Sequence, residues 1–130
     1  MIISLGAKVE RENPNTLIID ATELKTYVAD PELAAKMRAS YYLMGALVGR
    51  FGNAHVSPPG GCNFGVRPID QHLKAFKYLN CRVVEDDPFI KIDGSSLKGG
   101  NVYFDVVSVG ATMNAILAAV LAPGKTVLES

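Results

Sequence analysis

Two cysteines, two histidines and five arginines are the residues of this 130-residue chain whose types admit chemistry beyond packing. One segment stands apart from the rest: Ser57-Pro58-Pro59-Gly60-Gly61-Cys62-Asn63-Phe64-Gly65-Val66-Arg67-Pro68-Ile69-Asp70, rich in Pro and Gly, with one thiol and one guanidinium. That composition suits an ordinary surface loop that happens to carry a cysteine. It equally suits a mobile lid that carries a reactive cysteine over a pocket, with Arg67 at the start of the following helix to meet an anion. Cys81 lies in an apolar strand beside Val83 and reads as structural. Imidazole titrates near neutrality, which draws attention to His55 and His72. Neither has a Cys, Asp or Glu partner at metal-ligand spacing, and both read as structural or solvated. Arg38 by itself reads as a solvated helix arginine, and Ser108 as a helix N-cap.

The elements that must position these residues repeat along the chain. Leu5-Gly6-Ala7-Lys8-Val9-Glu10, followed by Leu17-Ile18-Ile19-Asp20, returns as Leu79-Asn80-Cys81-Arg82-Val83-Val84-Glu85, followed by Phe89-Ile90-Lys91-Ile92-Asp93, at an offset of 74. Ala39-Ser40, ahead of an apolar stretch ending in Phe51-Gly52, returns as Ala111-Thr112 ahead of Pro123-Gly124, at an offset of 72. The chain thus reads as one partial domain with copies at about 5–57 and 79–129 and a linking loop and helix at 58–79. Each copy is expected to hold a hairpin, a further strand, a helix and a closing strand.

In the first copy Ala7 to Arg11 and Thr16 to Asp20 flank the turn Glu12-Asn13-Pro14-Asn15, and Lys25 to Ala29 forms a short strand. Asp30, Pro31 and Glu32 supply an N-cap, a first-turn proline and a first-turn acid. The spacing of Leu33, Met37, Tyr41, Met44, Val48 and Phe51 predicts one helical face that ends at Gly52. The second copy has strands at Cys81 to Glu85, Phe89 to Asp93, Asn101 to Phe104 and Lys125 to Glu129, and a helix from about Val109 to Leu121. A helix from about Pro68 to Leu79 presents Ile69, Leu73, Phe76 and Leu79 on one side. By the same logic Met1 to Ser4 is the last turn of a corresponding helix, and the sequence reads as cut at both ends.

Hydrophobic residues make up 48% of the chain, enough for a sizeable core, and 13 Lys+Arg balance 13 Asp+Glu. That balance, with no basic run, argues against nucleic acid or an anionic membrane as partner. The longest uncharged stretch, Val106 to Gly124, includes Ser108, Gly110, Thr112 and Asn114 and is too short and polar to span a bilayer. The N-terminus lacks the features of a secretory signal, so a cytoplasmic location is expected. No Cys-x-x-Cys or His-rich cluster suggests a metal.

Three motifs together carry a resemblance: Gly-Gly-Cys-x-x-Gly-x-Arg-Pro-x-Asp at Gly60 to Asp70, Met-Arg-Ala-Ser at Met37 to Ser40, and Ser-Val-Gly-Ala-Thr at Ser108 to Thr112. Over nearly its whole length the chain resembles the UDP-N-acetylglucosamine enolpyruvyl transferase family of peptidoglycan synthesis. The resemblance implies an inside-out α/β fold in which two domains, each of three repeats, close over phosphoenolpyruvate and the sugar nucleotide. It implies transfer of the enolpyruvyl group to a sugar hydroxyl with release of phosphate, without a cofactor. Cys62 would be the loop general acid toward the enolpyruvyl methylene and could form a covalent adduct. A thiol suits both roles, since it is mostly protonated at neutral pH yet yields a strong nucleophile. Arg67 would meet phosphate or carboxylate oxygens, the stretch Arg67, Pro68, Ile69, Asp70 and Gln71 would line the uridine, and Arg38 would face the same ligand through its planar fork. Val106, Val107, Ser108, Val109 and Gly110 would offer amides and a hydroxyl to the diphosphate.

The family's amino-terminal Lys-Asn pair and its second domain have no counterpart here, and Phe64 and Val66 depart from the usual company of the cysteine. The chain is therefore expected to need the remainder of the enzyme, to be inactive alone, and to self-associate through apolar surface that an absent repeat would cover. Two other readings remain: an enolpyruvylshikimate-phosphate synthase, which shares the fold but not the Gly-Gly-Cys lid, and a non-catalytic nucleotide-binding or scaffold domain.

Overall fold

Short-range chemistry fixes most of the element ends. A computed structural model describes residues 1–58, 60 and 68–130. The chain begins with a hairpin of β1 (Lys8–Asn13) and β2 (Thr16–Asp20). Asp30 Oδ1 then accepts from the Glu32 and Leu33 amides at 2.9 and 3.2 Å and opens α1 (Pro31–Ala34). A 3-10 turn (Arg38–Tyr41) leads into α2 (Tyr42–Phe51), which stops at Gly52 in the left-handed conformation, φ 69°. After β3 (Asn53–Val56) come α3 (Asp70–Tyr78), the hairpin of β4 (Arg82–Asp86) and β5 (Phe89–Asp93), then β6 (Asn101–Tyr103), α4 (Val109–Ala119) and β7 (Val127–Glu129).

Among the described residues the strands form three sheets: β1-β2, β3-β5-β4, and a parallel β6-β7 pair. In the second sheet a strand from the first half of the sequence lies antiparallel against a hairpin from the second, with Ala54 opposite Ile92 and Val56 opposite Ile90. All four of these side chains are buried, in a core with Leu5, Met44, Val48, Phe76, Leu79 and Val102. The β1-β2 hairpin has no such cover, and Leu17, Ile18 and Ile19 are each about half exposed.

Helices α2 and α4 meet backbone to backbone. A Cβ on Gly45 would lie 2.5 Å from the Asn114 carbonyl oxygen, and one on Gly49 2.7 Å from that of Leu117, so only glycine at both positions allows this approach. The buried Asn114 crosses the seam, its Oδ1 accepting the Gly45 amide at 2.8 Å. The far side of α4 is uncovered, with Val109, Met113, Ile116 and Val120 exposed at near-helical spacing.

Two chain reversals match residue for residue at an offset of 74. Ala7 N–H donates to the Ile2 carbonyl and Gly6 N–H to that of Ile3, as Cys81 N–H does to Phe76 and Asn80 N–H to Lys77. Gly6 and Asn80 both take positive φ, 105° and 62°.

Two expectations change. The helix read from Pro31 to Phe51 is divided, because the chain is extended at Met37 (φ −144°) and the Ser40 hydroxyl donates back to the Ala34 carbonyl at 3.3 Å. The gap admits the Gly60 amide, which donates to the same carbonyl at 3.3 Å. The strand read at Lys25 to Ala29 is a single parallel bridge, Val28 to His55. Among the described residues no helix is long and apolar enough to cross a membrane, and no group of three or more His, Cys, Asp or Glu could hold a metal.

Candidate functional site

The start of α3 is set by what its first residues can reach. Pro68 is exposed and Ile69 is half-buried at the N-cap position, φ −110°, with no side-chain cap. Asp70 then places a carboxylate in the first turn, where the helix dipole favours it. Gln71 and His72 turn inward, 7% and 4% exposed. Gln71 Nε2 donates to Asp70 Oδ2 at 2.9 Å and to Asp105 Oδ2 at 3.2 Å, while its Oε1 accepts the Asp105 amide at 3.0 Å. Lys74 adds an ion pair to Asp105 Oδ1 at 2.6 Å. The Lys74 and Gln71 donors hold the Asp105 carboxyl below the ordinary carboxylate range.

The start of α4 follows directly from Asp105. Val106 and Val107 are exposed, and Ser108, in extended conformation, caps the helix by accepting the Ala111 amide on Oγ at 3.3 Å. No acidic residue occupies the first turn of α4, so the positive end of this eleven-residue helix is not neutralised locally.

Arg38 reaches the same region through two rings. Its guanidinium carbon lies 5.3 Å from the centre of the Tyr41 ring, and Tyr41 meets His72 edge to face with centroids 4.9 Å apart. His72 in turn abuts α4, where a Cβ on Gly110 would fall 2.7 Å from His72 Nε2 and 2.9 Å from the Tyr41 hydroxyl. Among the described residues neither His72 ring nitrogen has a hydrogen-bond partner. Burial depresses the His72 pKa most, the Arg38 charge depresses it further, and Asp70 acts in the opposite sense. The net shift favours the neutral ring.

The structure therefore joins Arg38, the α3 start (Pro68, Ile69, Asp70, Gln71) and the α4 start (Val106, Val107, Ser108, Val109, Gly110) through Tyr41, His72 and Asp105. Cys62 and Arg67 lie outside the described residues. In the sequence Tyr41 stands only as a member of an apolar stripe, and Asp105 belongs to no motif, although it is the charge immediately before the Val106 stretch. His72, read from the sequence as structural or solvated, is buried, and its position at the junction of three segments is not visible in its spacing. His55 stands apart, edge-on to Tyr27 with centroids 5.2 Å apart. Cys81 is buried, and desolvation, with the Asp93 charge, pushes its thiol up to about 11. A cavity of about 440 Å³ lies between Pro58, Ile69, Leu73 and the β4-β5 turn; of the described candidate residues Ile69 lines it.

A protein-family model described as EPSP synthase (3-phosphoshikimate 1-carboxyvinyltransferase) matches residues 1–130. UDP-N-acetylglucosamine 1-carboxyvinyltransferase 2 of Clostridium acetobutylicum is 55% identical over 130 residues, all of this chain and 31% of that protein. UDP-N-acetylglucosamine 1-carboxyvinyltransferase 2 of Bacillus subtilis is 45% identical over 130 residues, again all of this chain and 30% of the other. The chain thus spans about a third of the length of these curated relatives. Among solved structures, the enolpyruvyl transferase NikO from Streptomyces tendae superposes with a TM-score of 0.72 at 21% identity, over 98% of this chain and 30% of that one. EPSP synthase from Acinetobacter baumannii gives 0.63 at 16% identity, over 95% and 29%. The fold is that of the enolpyruvyl transferases, an α/β fold as expected.

Proposed function

Because this chain belongs to the EPSP synthase family along its whole length, we propose that it forms part of an enzyme that transfers the enolpyruvyl group of phosphoenolpyruvate to UDP-N-acetylglucosamine and releases phosphate. The observation that carries this reading is the convergence of Arg38, the α3 start and the α4 start on the contact between the partly buried Tyr41 and the buried His72. A helix N-terminus with no acid in its first turn, joined to Arg38 through Tyr41 and His72, suits an anionic group such as a diphosphate. The names of the relatives support UDP-N-acetylglucosamine over shikimate 3-phosphate as acceptor, as does the Gly-Gly-Cys motif.

In this reading Cys62 gives a proton to the enolpyruvyl methylene, which makes the neighbouring carbon electrophilic toward the sugar hydroxyl. A new carbon–oxygen bond forms there as the hydroxyl gives up its proton, the bond to phosphate breaks, and loss of a methyl proton restores the double bond; of the two protons released, one returns to the Cys62 thiolate and the other leaves with phosphate. Arg67 and Arg38 balance the charge of phosphate or carboxylate, and the Pro68–Gln71 and Val106–Gly110 segments hold the nucleotide. The enzyme would serve peptidoglycan synthesis in the cytoplasm.

The remainder of the polypeptide would supply the opposite wall of the cleft. The two halves at about 5–57 and 79–129 are read as tandem copies, a reading supported by the matched reversals before Lys8 and Arg82. The exposed Leu17–Ile19 and Val109, Met113, Ile116 and Val120 surfaces suit cover by that remainder or by another copy of the chain.

Two measurements test the proposal. Calorimetry of the 130-residue chain with UDP-N-acetylglucosamine is expected to give weak, saturable binding, and a phosphate-release assay of the chain alone no turnover. In the enzyme that contains this segment, release from phosphoenolpyruvate is expected with UDP-N-acetylglucosamine and not with shikimate 3-phosphate, and Cys62→Ala is expected to abolish it with little effect on sugar-nucleotide affinity. The reverse acceptor preference, or full activity of the Cys62→Ala enzyme, would overturn the assignment.

A further inference from the structure

The side chain of Gln71 is occupied on both its nitrogen and its oxygen. Nε2 bridges the carboxylates of Asp70 and Asp105, and Oε1 receives the Asp105 amide, so an uncharged residue of α3 joins two acids that would otherwise repel each other. The other Asp105 oxygen is held by Lys74, whose ammonium lies over the rings of Tyr78 and Tyr103 at 5.6 and 5.8 Å. Three bonds from one helix thus fix Asp105, at the point where the chain leaves β6 for α4. Five residues later Gly110 lies against His72, the next residue along α3. Consecutive residues of α3 therefore grip both ends of the 105–110 segment. Val106, Val107 and Val109, residues 61–84% exposed, have little packing of their own to set where that segment goes.

We propose that Gln71 is a positioning residue: acting through Asp105, it sets the Val106–Gly110 segment so that the α4 amides face the same diphosphate as the α3 start. The proposal rests on the functional reading above. A direct contact of the Gln71 amide with the uridine would require it to give up one of these bonds.

Gln71→Glu tests the clamp within one polypeptide. As a carboxylate, residue 71 cannot donate and is repelled by Asp70 and Asp105, a repulsion that the Lys74 charge offsets in part. As a carboxylic acid it can donate one O–H to Asp105 and accept the Asp105 N–H, which rebuilds most of the contact. Gln71→Met, which never donates, is the companion. His72 is common to all the proteins, so its titration is removed by comparison with wild type and Gln71→Met. At about pH 8 both variants are expected to speed exchange of the Asp105 amide and to weaken UDP-N-acetylglucosamine binding, each by about tenfold or more. Burial at position 71 and the neighbouring Asp70 and Asp105 carboxylates push the introduced carboxyl well above the ordinary glutamate range, so at about pH 5.5 Gln71→Glu is expected to return to within about threefold of wild type while Gln71→Met does not.

Unchanged protection of the Asp105 amide, or a Gln71→Glu protein with the same losses at both pH values, would overturn the proposal. If wild type binds no UDP-N-acetylglucosamine, the functional reading fails, while amide exchange still decides whether the clamp exists. If both variants bind as wild type does, the clamp has no positioning role and the functional reading stands. Should Gln71→Met not fold, the two pH arms of Gln71→Glu decide alone.

Discussion

Gly110→Ala is expected to destabilise the protein even though alanine is the better helix former. The added methyl would meet His72 Nε2 at 2.7 Å and Tyr41 Oη at 2.9 Å, where ordinary contact begins at 3.4 Å, so the imidazole must retreat by about 0.7 Å. It has little room to do so, being 4% exposed and wedged against the Tyr41 ring. Overpacking of this kind costs about 1–3 kcal/mol, while replacing a helical glycine by alanine returns about 0.5–1 kcal/mol. The net expectation is a loss of about 1 kcal/mol, within bounds of about 0 and 2.5 kcal/mol. His72→Ala alone removes a buried ring and costs about 2–3 kcal/mol as a large-to-small change. In the double variant the methyl added at position 110 enters the space that the imidazole vacated, so the two changes are expected to offset one another by about 1–2 kcal/mol. Urea denaturation of the four proteins, with unchanged slopes, measures this coupling. Additivity within about 0.5 kcal/mol, or a Gly110→Ala protein more stable than wild type, would refute the contact and with it the joining of α3, α4 and Arg38 through His72.

Because His72 is held neutral, its folded-state pKa lies below that of the unfolded chain; the unfolded state takes up the extra proton as pH falls below about 6.5, and stability is lost there. The decline in thermal midpoint between about pH 7.5 and 5.5 should therefore be shallower in His72→Gln than in wild type; parallel curves would count against this origin. Limiting iodoacetamide near neutral pH is expected to label Cys62 before Cys81, whose thiol is buried and pushed up to about 11; peptide mapping that finds Cys81 labelled first would remove the case for a reactive Cys62. Asn114→Ala strands the Gly45 amide in the α2-α4 seam and should cost about 1–3 kcal/mol by chemical denaturation; a change under about 0.5 kcal/mol would show that the seam does not need it.

Where chemistry is local, the sequence announced the structure. Asp30 and Ser108 cap helices as their side-chain types predict, Gly52 closes α2, and the hairpin strands at Thr16–Asp20 and Phe89–Asp93 have the expected bounds. The break between Ala34 and Arg38 was hidden by a side-chain stripe that stays in phase from Leu33 to Phe51. What opens the helix there is the Ser40 hydroxyl and the arriving Gly60 amide, and the second of these is distant in sequence. The site divides in the same way. Motifs marked the helix starts and Arg38, whereas Gln71 with Asp105, 34 residues apart, and Gly110 beneath His72 depend on how α3 and α4 are laid together. No periodicity records such a pairing.

The exchange of partners between the halves has a consequence for how the molecule comes apart. β3 is contributed by residues 53–56 and finds its ladder on β5 at 90–93, and α2 meets α4 across the Gly45–Asn114 seam. Neither contact depends on an intact backbone between Val56 and Asp70. A protein nicked there would keep both, and two separately produced polypeptides divided at that place could reassemble by mutual templating, each offering the edge that the other lacks. Split in that way the protein becomes a two-piece complementation pair, whereas either piece alone carries an open strand edge and a bare helix face that lead toward aggregation. For the intact chain the same exchange ties both halves to a single melting event, since neither can unravel without stripping a strand or a helix from the other.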